Sequence, residues 1–247
     1  MLLQKKTAVI TGCNRGIGKK ILEIFSENEA NIFACVRNID EQFLNLIDNL
    51  SKKKKIKITP FEINFEDSES VQKTAKLILQ KNVPIDILIN NAAIIDTSLF
   101  QMTSLKKLKK IFEVNFFSQS IFTQFILKSM IKNKKGSIVY ISSSSALDGN
   151  IGRNAYSSSK AALISQAITL SREVGLFGIR VNTIAPGLTD TDMMQKNTPS
   201  NIIEEVTSKL SLKRVGKPID IANSALFLSS NLSDYITGQT IRVDGGM

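Results

Sequence analysis

The chain has 247 residues, 43% hydrophobic and 22% charged, the balance of a folded globular protein and not of a disordered, fibrous or membrane one. It carries 32 Lys and Arg against 22 Asp and Glu, a net charge of +10, with two cysteines and no histidine. Without an imidazole, Ser-His-Asp and Cys-His hydrolases are excluded and zinc and haem sites lose their usual ligand; Cys13 and Cys35 make no metal-ligand spacing, so no metal is expected. The opening residues are too short an apolar stretch for a signal peptide, and no run approaches the roughly 20 apolar residues of a membrane span. A cytoplasmic protein without a membrane partner is expected. The basic balance raises nucleic acid as a partner, but the lysines are spread along the chain and no nucleic-acid module is recognisable. The densest run, Lys52-Lys53-Lys54-Lys55, reads as a solvated loop.

Short apolar runs alternate with amphipathic segments. Strands are predicted at 7–11, 32–36, 56–63, 85–89, 137–142, 180–185 and 240–243, and helical spacing covers 17–29, 40–50, 67–81, 103–132, 154–175 and 217–229. Buried, Val/Ile-rich strands alternating with helices predict a single-domain α/β protein, a doubly wound seven-stranded parallel sheet flanked by helices. Residues 188–212 break this rhythm with a polar stretch carrying Thr198-Pro199-Ser200, and read as a lid-like insertion on the substrate side.

After the first strand comes Thr11-Gly12-Cys13-Asn14-Arg15-Gly16-Ile17-Gly18, opening into a helix. A glycine-rich turn there lets backbone approach a pyrophosphate, whose charge meets free N–H groups and the positive end of the helix dipole. The spacing G-x3-G-x-G differs from the G-x-G-x-x-G dinucleotide fingerprint. At the end of the second strand an acid binds a ribose 2′-hydroxyl and a cation binds a 2′-phosphate. This chain has Arg37 at that position and Arg15 in the loop, while Asp40 reads as the N-cap of the next helix, so NADP(H) is favoured over NAD(H).

Tyr156 and Lys160 stand four apart near the start of a helix, hence on one face. A cation about 5 Å away at an effective dielectric of about 20 favours phenolate by about 3 kcal/mol, enough to draw a tyrosine from about 10 toward neutrality. Ser143 follows the fifth strand at the carboxyl edge, where such sheets bind ligands. Its neighbours Ser142, Ser144 and Ser145 are assigned to turn chemistry.

Gly12-x3-Gly16-x-Gly18, Asn90-Asn91-Ala92-Ala93, Asn115, Ser143, Tyr156-x3-Lys160, Asn182 and Pro186-Gly187, in this order over nearly the whole chain, resemble the short-chain dehydrogenase/reductases. The resemblance implies a Rossmann fold and a catalytic set of Asn115, Ser143, Tyr156 and Lys160. Tyr156 would be the general acid/base, Ser143 a hydrogen-bond donor to the substrate oxygen, Lys160 the holder of the nicotinamide ribose, and Asn115 the support of a water-mediated proton relay. It also implies cofactor contacts from Gly12, Asn14, Arg15, Gly16, Ile17, Gly18, Arg37, Asn64, Phe65, Asn91, Ala92, Ala93, Tyr156, Lys160, Pro186, Gly187, Thr189 and Thr191. Two positions depart from the family pattern, Ala93 in place of Gly and Asn64 in place of Asp, and both are expected to be tolerated.

Within the family, the ending from Tyr235 to Gly246 and the turn Lys213-Arg214-Val215-Gly216 resemble bacterial reductases of 3-oxoacyl groups on acyl carrier protein. Lys128, Lys132, Lys134 and Lys135 are read as a cationic rim that steers the acidic carrier. A reductase of a nucleotide-sugar or other small ketone is the alternative, with substrate side chains in 94–97, 145–153 and 188–212. A non-catalytic dinucleotide-binding regulator is the alternative of another class, and it has no need of the four catalytic residues together. The resemblance further implies a homotetramer, for which Ile121, Phe122, Phe125, Ile126 and Met130 supply apolar surface unless their helix is buried in its own core.

Overall fold

The computed structural model describes residues 1–247. Seven strands form one parallel sheet in the order β3-β2-β1-β4-β5-β6-β7, with β1 Thr7–Thr11, β2 Asn31–Val36, β3 Ile58–Glu62, β4 Ile87–Asn90, β5 Gly136–Ile141, β6 Ile179–Pro186 and β7 Thr240–Val243. Helices α1 (Gly16–Glu27), α2 (Glu41–Lys54) and α3 (Ser68–Leu79) connect the first four strands. After β4 come α4 (Leu105–Phe112), a π-helical turn at Glu113–Phe117 and α5 (Ser118–Asn133); after β5 come α6 (Ser145–Asp148) and α7 (Asn154–Val174). The chain then runs through α8 (Asp192–Asn197), α9 (Ser200–Lys209) and α10 (Pro218–Ser229) to β7.

Side chains alternate across the sheet with the period of two that a pleated strand imposes. Ala8, Ile10, Ile87, Ile89, Val139 and Ile141 pack on one face with Leu22 and Phe25 of α1 and Ala222 of α10. Val9, Leu88, Ile138 and Tyr140 pack on the other with Ile78 of α3, Phe122 and Ile126 of α5 and Leu163 of α7. Both faces are covered, which is why the strands read as nearly continuous apolar runs.

The predicted elements recur within a few residues, with informative exceptions. Lys52 to Lys54 are not loop: they form the last turn of α2, where cations meet the negative end of the helix dipole, and Lys55 closes it in the left-handed region at φ 53°. Phe122, Ile126 and Met130 belong to the chain's own core and leave only Ile121 and Phe125 of the five named residues partly buried. Residues 188–212 fold into α8 and α9. No helix is long and apolar enough to cross a membrane.

Strand order reverses between β1 and β4, and the loops leaving their carboxyl ends part to opposite faces, opening a crevice. Its floor tolerates no side chain at Gly18. A Cβ there falls 2.1 Å from the Gly12 carbonyl oxygen and 2.4 Å from Asn91 Nδ2. Gly18→Ala is therefore expected to cost about 1–3 kcal/mol, or roughly 2–10 °C in Tm; calorimetry of the purified variant checks it, and an unchanged Tm refutes the close approach.

Candidate active site

One cleft of about 940 Å³ runs along the carboxyl edge of the sheet. Every sequence-predicted site residue lines it except Asn115. At one end lies the glycine loop. Gly12 and Gly16 have φ of 65° and 53°, which an L side chain rarely adopts. The loop is stitched to the chain after β4: Asn91 Nδ2 donates to the carbonyls of Thr11 and Gly12 at 2.9 and 3.0 Å, and the amides of Asn91 and Ala92 donate to Thr11 Oγ1 at 3.0 and 3.1 Å. Cys13 is a buried, unreactive filler beneath the loop, its thiol pushed up to about 12 by burial.

The helix behind this loop differs from its neighbours at its first turn. Asp40 accepts from the Phe43 amide and caps α2, as expected, and Asp67 accepts from the Glu69 amide and caps α3. Helix α1 has Arg15 at its N-cap with no side-chain hydrogen bond to the first turn, and no acidic residue there. Its N–H groups and dipole are left for an anion in the cleft, so the residues fit a dinucleotide diphosphate.

Arg15 and Arg37 are both exposed on this part of the rim. Arg37 Nη1 lies 3.9 Å from Glu66 Oε1, while Glu66 Oε2 pairs with Lys110 at 3.0 Å. Glu66, missed in the sequence, is thus shared between two cations, and Arg37 is loosely held enough to turn to a phosphate. Asn64 Oδ1 accepts from the Glu66 amide at 3.0 Å, a turn contact that Asp also makes, which explains why Asn serves there. Phe65 borders the cleft while its ring packs against Phe122, centroids 6.0 Å apart.

The chemical residues converge beyond β5. The Ser142 and Ser144 amides donate to Ile184 and Pro186 carbonyls, extending the β5–β6 pairing past Ser143. Ser142 Oγ is committed to the Lys160 carbonyl at 2.8 Å and Ser145 Oγ to Asn150 Oδ1 at 2.6 Å, which leaves neither hydroxyl free for the cleft. Ser143 Oγ accepts from the Ser145 amide at 3.2 Å and stands beside the Tyr156 phenol, whose pKa it pulls downward. Lys160 is buried, its Nζ donating to the Ile141 carbonyl at 2.6 Å and standing 5.9 Å from the Tyr156 ring centroid.

Asn115 lies behind the wall. The π turn, in which the Ser118 amide reaches back five residues to Glu113, turns its side chain onto the loop after β4. Oδ1 accepts from the Ile94 amide at 2.9 Å, and Nδ2 donates to the Ile94 carbonyl at 2.9 Å and to Ser159 Oγ at 3.1 Å. Its side chain holds the wall of the site together.

The charge states differ from those the spacing suggested. Burial raises Tyr156 above its ordinary value, against smaller pulls downward from Ser143 and the Arg153 charge. Burial pushes Lys160 down to about 7. The expected lowering of the phenol by the ammonium is absent in the ligand-free protein, because desolvation opposes the charge on both members.

Beyond these residues the cleft lining is mixed, with the apolar Ile94, Ile151, Met193, Met194, Ile202 and Val206 beside the polar Thr97, Asn150, Arg153, Asn197, Thr198 and Glu205. Thr191 Oγ1 caps α8 by accepting from the Met194 amide, and its methyl stands 3.3 Å from where a Cβ on Gly16 would be, so α8 begins against the glycine loop. Lys134 and Lys135 precede β5, at the opposite edge of the sheet from Ser143, with Lys128 and Lys132 leading up to them on α5. They do not rim this chain's cleft: a six-residue strand, about 20 Å long, intervenes.

A family model described as Enoyl-(Acyl carrier protein) reductase matches residues 12–247. Similar proteins include the 3-oxoacyl-[acyl-carrier-protein] reductase FabG of Chlamydia muridarum, 38% identical over 100% of this chain and 98% of the relative, and that of Thermotoga maritima, 34% identical over 100% and 99%. The chain belongs to the short-chain dehydrogenase/reductase family. Among solved structures, a short chain dehydrogenase/reductase family protein superposes with a TM-score of 0.86 at 29% identity, covering 100% of this chain and 98% of that one. A candidate NAD(P)-dependent gluconate 5-dehydrogenase of Beutenbergia cavernae with bound NADP at low occupancy superposes at 0.92 and 27% identity, covering 98% and 96%. As a member of this family the chain is an oxidoreductase with a nicotinamide dinucleotide site.

The Lys160 shift has a pH consequence. Between about pH 7 and 10 the unfolded chain holds a proton that the native site has released, so this group makes stability rise with pH. Above about pH 8 the buried thiols of Cys13 and Cys35 oppose that trend, because they keep protons that the unfolded chain loses, and the raised Tyr156 adds to the opposition near pH 10. The Tm of the protein is expected to climb from about pH 7 to 8, and Lys160→Met to make that climb shallower; equal slopes refute the burial cost.

Proposed function

We propose that this chain reduces the ketone of a 3-oxoacyl group carried on acyl carrier protein to the 3-hydroxyacyl group, with NADPH as reductant. The observation that carries the reading is a single cleft with Tyr156, Ser143 and Lys160 between an anion-ready helix start and a partly apolar wall. The relatives named 3-oxoacyl-[acyl-carrier-protein] reductase support it over their whole length.

When bound, the dinucleotide would supply a hydride to the carbonyl carbon. Gly12, Asn14, Arg15, Gly16, Ile17 and Gly18 would hold its diphosphate, Arg15 and Arg37 its 2′-phosphate, and Asn64 and Phe65 would border the adenine. Asn91, Ala92, Ala93 and Lys160 would hold the nicotinamide ribose, and Pro186, Gly187, Thr189 and Thr191 the nicotinamide end. Tyr156 is protonated at neutral pH in its raised state and gives its phenolic proton to the ketone oxygen. Ser143 donates a hydrogen bond to that oxygen as charge develops on it. The phenolate left behind is met by Lys160 and by the charge of Arg153, and Asn115 keeps the wall behind them in place for a water relay. Helices α8 and α9 act as the lid.

A homotetramer in the cytoplasm completes the reading. A groove between α5 and α7, lined by Phe116, Leu127, Ala162 and Leu170, offers the surface for a second copy.

The deciding experiment compares kcat/KM for acetoacetyl-carrier and a short acetoacetyl thioester at low and high salt. An advantage for the carrier that shrinks with salt is expected, and no advantage replaces this reading with a small-ketone reductase. Tyr156→Phe is expected to lower kcat at least about 100-fold with NADPH binding kept; turnover within threefold of wild type removes Tyr156 as the acid. Arg37→Asp is expected to lower the NADPH-over-NADH preference about ten- to hundredfold, the worth of one charge-assisted contact. Equal kcat/KM for the two cofactors in the unmodified protein contradicts the assignment of the arginines.

A further inference from the structure

Arg153 lines the cleft but has no substrate contact in the reading above. It is the N-cap residue of α7, three residues before Tyr156, and its side chain is half-buried. Nη2 donates to the Asn197 carbonyl at 2.7 Å and to Thr198 Oγ1 at 3.4 Å, drawing the corner between α8 and α9 down onto α7. Nη1 is buried and has no partner. An unmade buried hydrogen bond is costly, and more so when the donor is charged.

The chain's own groups do not satisfy this nitrogen. Two of them set the field at the guanidinium, the Tyr156 phenol and the Asp96 carboxylate. Asp96 is already engaged, by Ser98 Oγ at 2.6 Å and by Lys107 Nζ at 3.2 Å. The loop that carries Arg153 is itself fixed, since the Ser98 amide donates to the Gly152 carbonyl at 3.0 Å. A rigidly mounted donor is thus left over in the substrate half of the cleft, about one helical turn from the proposed acid. Residues three apart at a helix start are neighbours on its surface, with Cβ atoms about 5–6 Å apart, and the Arg153 charge acts directly on the Tyr156 phenol.

We infer that Arg153 is a specificity residue that binds, through Nη1, a second substrate oxygen placed two carbons from the reacting ketone. In a 3-oxoacyl group this is the C1 oxygen, separated from the ketone by one methylene. The inference rests on the proposed ketone reduction at Tyr156 and adds the substrate's second anchoring point. A ketone without that oxygen leaves Nη1 as unpaired as it is in the free protein, and sites built to pair a buried donor discriminate strongly against such analogues. The C1 oxygen has two chemical sources, a neutral thioester carbonyl and a free carboxylate, and Arg153 Nη1 donates to either.

The test measures kcat/KM with NADPH for wild type, Arg153→Met and Arg153→Lys on three substrates: the acetoacetyl thioester of N-acetylcysteamine, acetoacetate, and cyclohexanone, which has no second oxygen. Arg153→Met is expected to lose at least tenfold more on the first two than on cyclohexanone, with Arg153→Lys recovering part of that difference, most of all on acetoacetate. An equal loss on all three assigns Arg153 only to holding the α8–α9 corner and overturns the inference, as does no loss on any. A wild-type preference for acetoacetate over the thioester keeps the inference and removes the carrier-bound substrate. Failure of the wild type to reduce any of the three overturns the proposed reduction and the inference with it, so the two failures are told apart by whether there is turnover.

Discussion

The site depends on a close approach of two backbones at the point where the sheet changes direction. Thr11 Oγ1 donates to the Ile89 carbonyl and accepts from the amides of Asn91 and Ala92, while Asn91 Nδ2 returns two bonds to β1 and the glycine loop. These bonds satisfy groups that the diverging strands would otherwise leave orphaned. They also fix where the glycine loop stands against the loop after β4, and therefore the width of the crevice. Asn115 extends the same logic one layer outward, with its amide paired to both backbone groups of Ile94. The crevice is rigid because its walls are hydrogen-bonded to each other rather than merely packed.

Against that rigid frame, the electrostatics are deliberately incomplete. Helices α2 and α3 close their first turns with Asp40 and Asp67, whereas α1 leaves its first turn open beneath Arg15. An acidic cap at that place would occupy the donors and oppose a diphosphate. Arg37, shared loosely with a Glu66 that has a closer partner in Lys110, follows the same pattern of a cation held in reserve. Arg153 Nη1 repeats it at the substrate end, without a partner. Unmet donors thus mark both ends of one cleft, and the neutral phenol stands between them.

How much of this could be read from the sequence follows from where local physics decides. The sheet was legible because strands buried on both faces must be apolar throughout, and Thr7–Thr11 and Thr240–Val243 were placed to the residue. The glycine loop, Ser143, Tyr156 and Lys160 were legible because their chemistry restricts the residue type and spacing. Glu66 and Arg153 carry no such signal, since an isolated charge reads as solvated until the fold buries it. The lysines at 128–135 misled for a topological reason. Sequence proximity to β5 does not say at which end of the strand a residue stands, and a parallel strand separates its two ends by its full length. The apolar residues of α5 were ambiguous in the same way, and the fold assigned Phe122, Ile126 and Met130 to the interior.

The Tyr156–Lys160 pair shows where a pairwise estimate fails. At about 5 Å and an effective dielectric of about 20, attraction favours the ion pair by about 3 kcal/mol. That sum omits the cost of removing each ion from water, which for buried pairs is of the same size or larger. Here it wins on both sides, raising the phenol and lowering the amine. The consequence is a proton held on the group that a reduction needs it on. Tyr156 is a neutral donor before reaction, and the amine, near its own midpoint at neutral pH, is able to take up the compensating charge once the phenol has lost its proton. A pair already ionised in the resting protein has no phenolic proton to give to a ketone. Desolvation, usually counted only against buried charge, therefore leaves the resting phenol protonated, the state in which it is able to donate to a ketone.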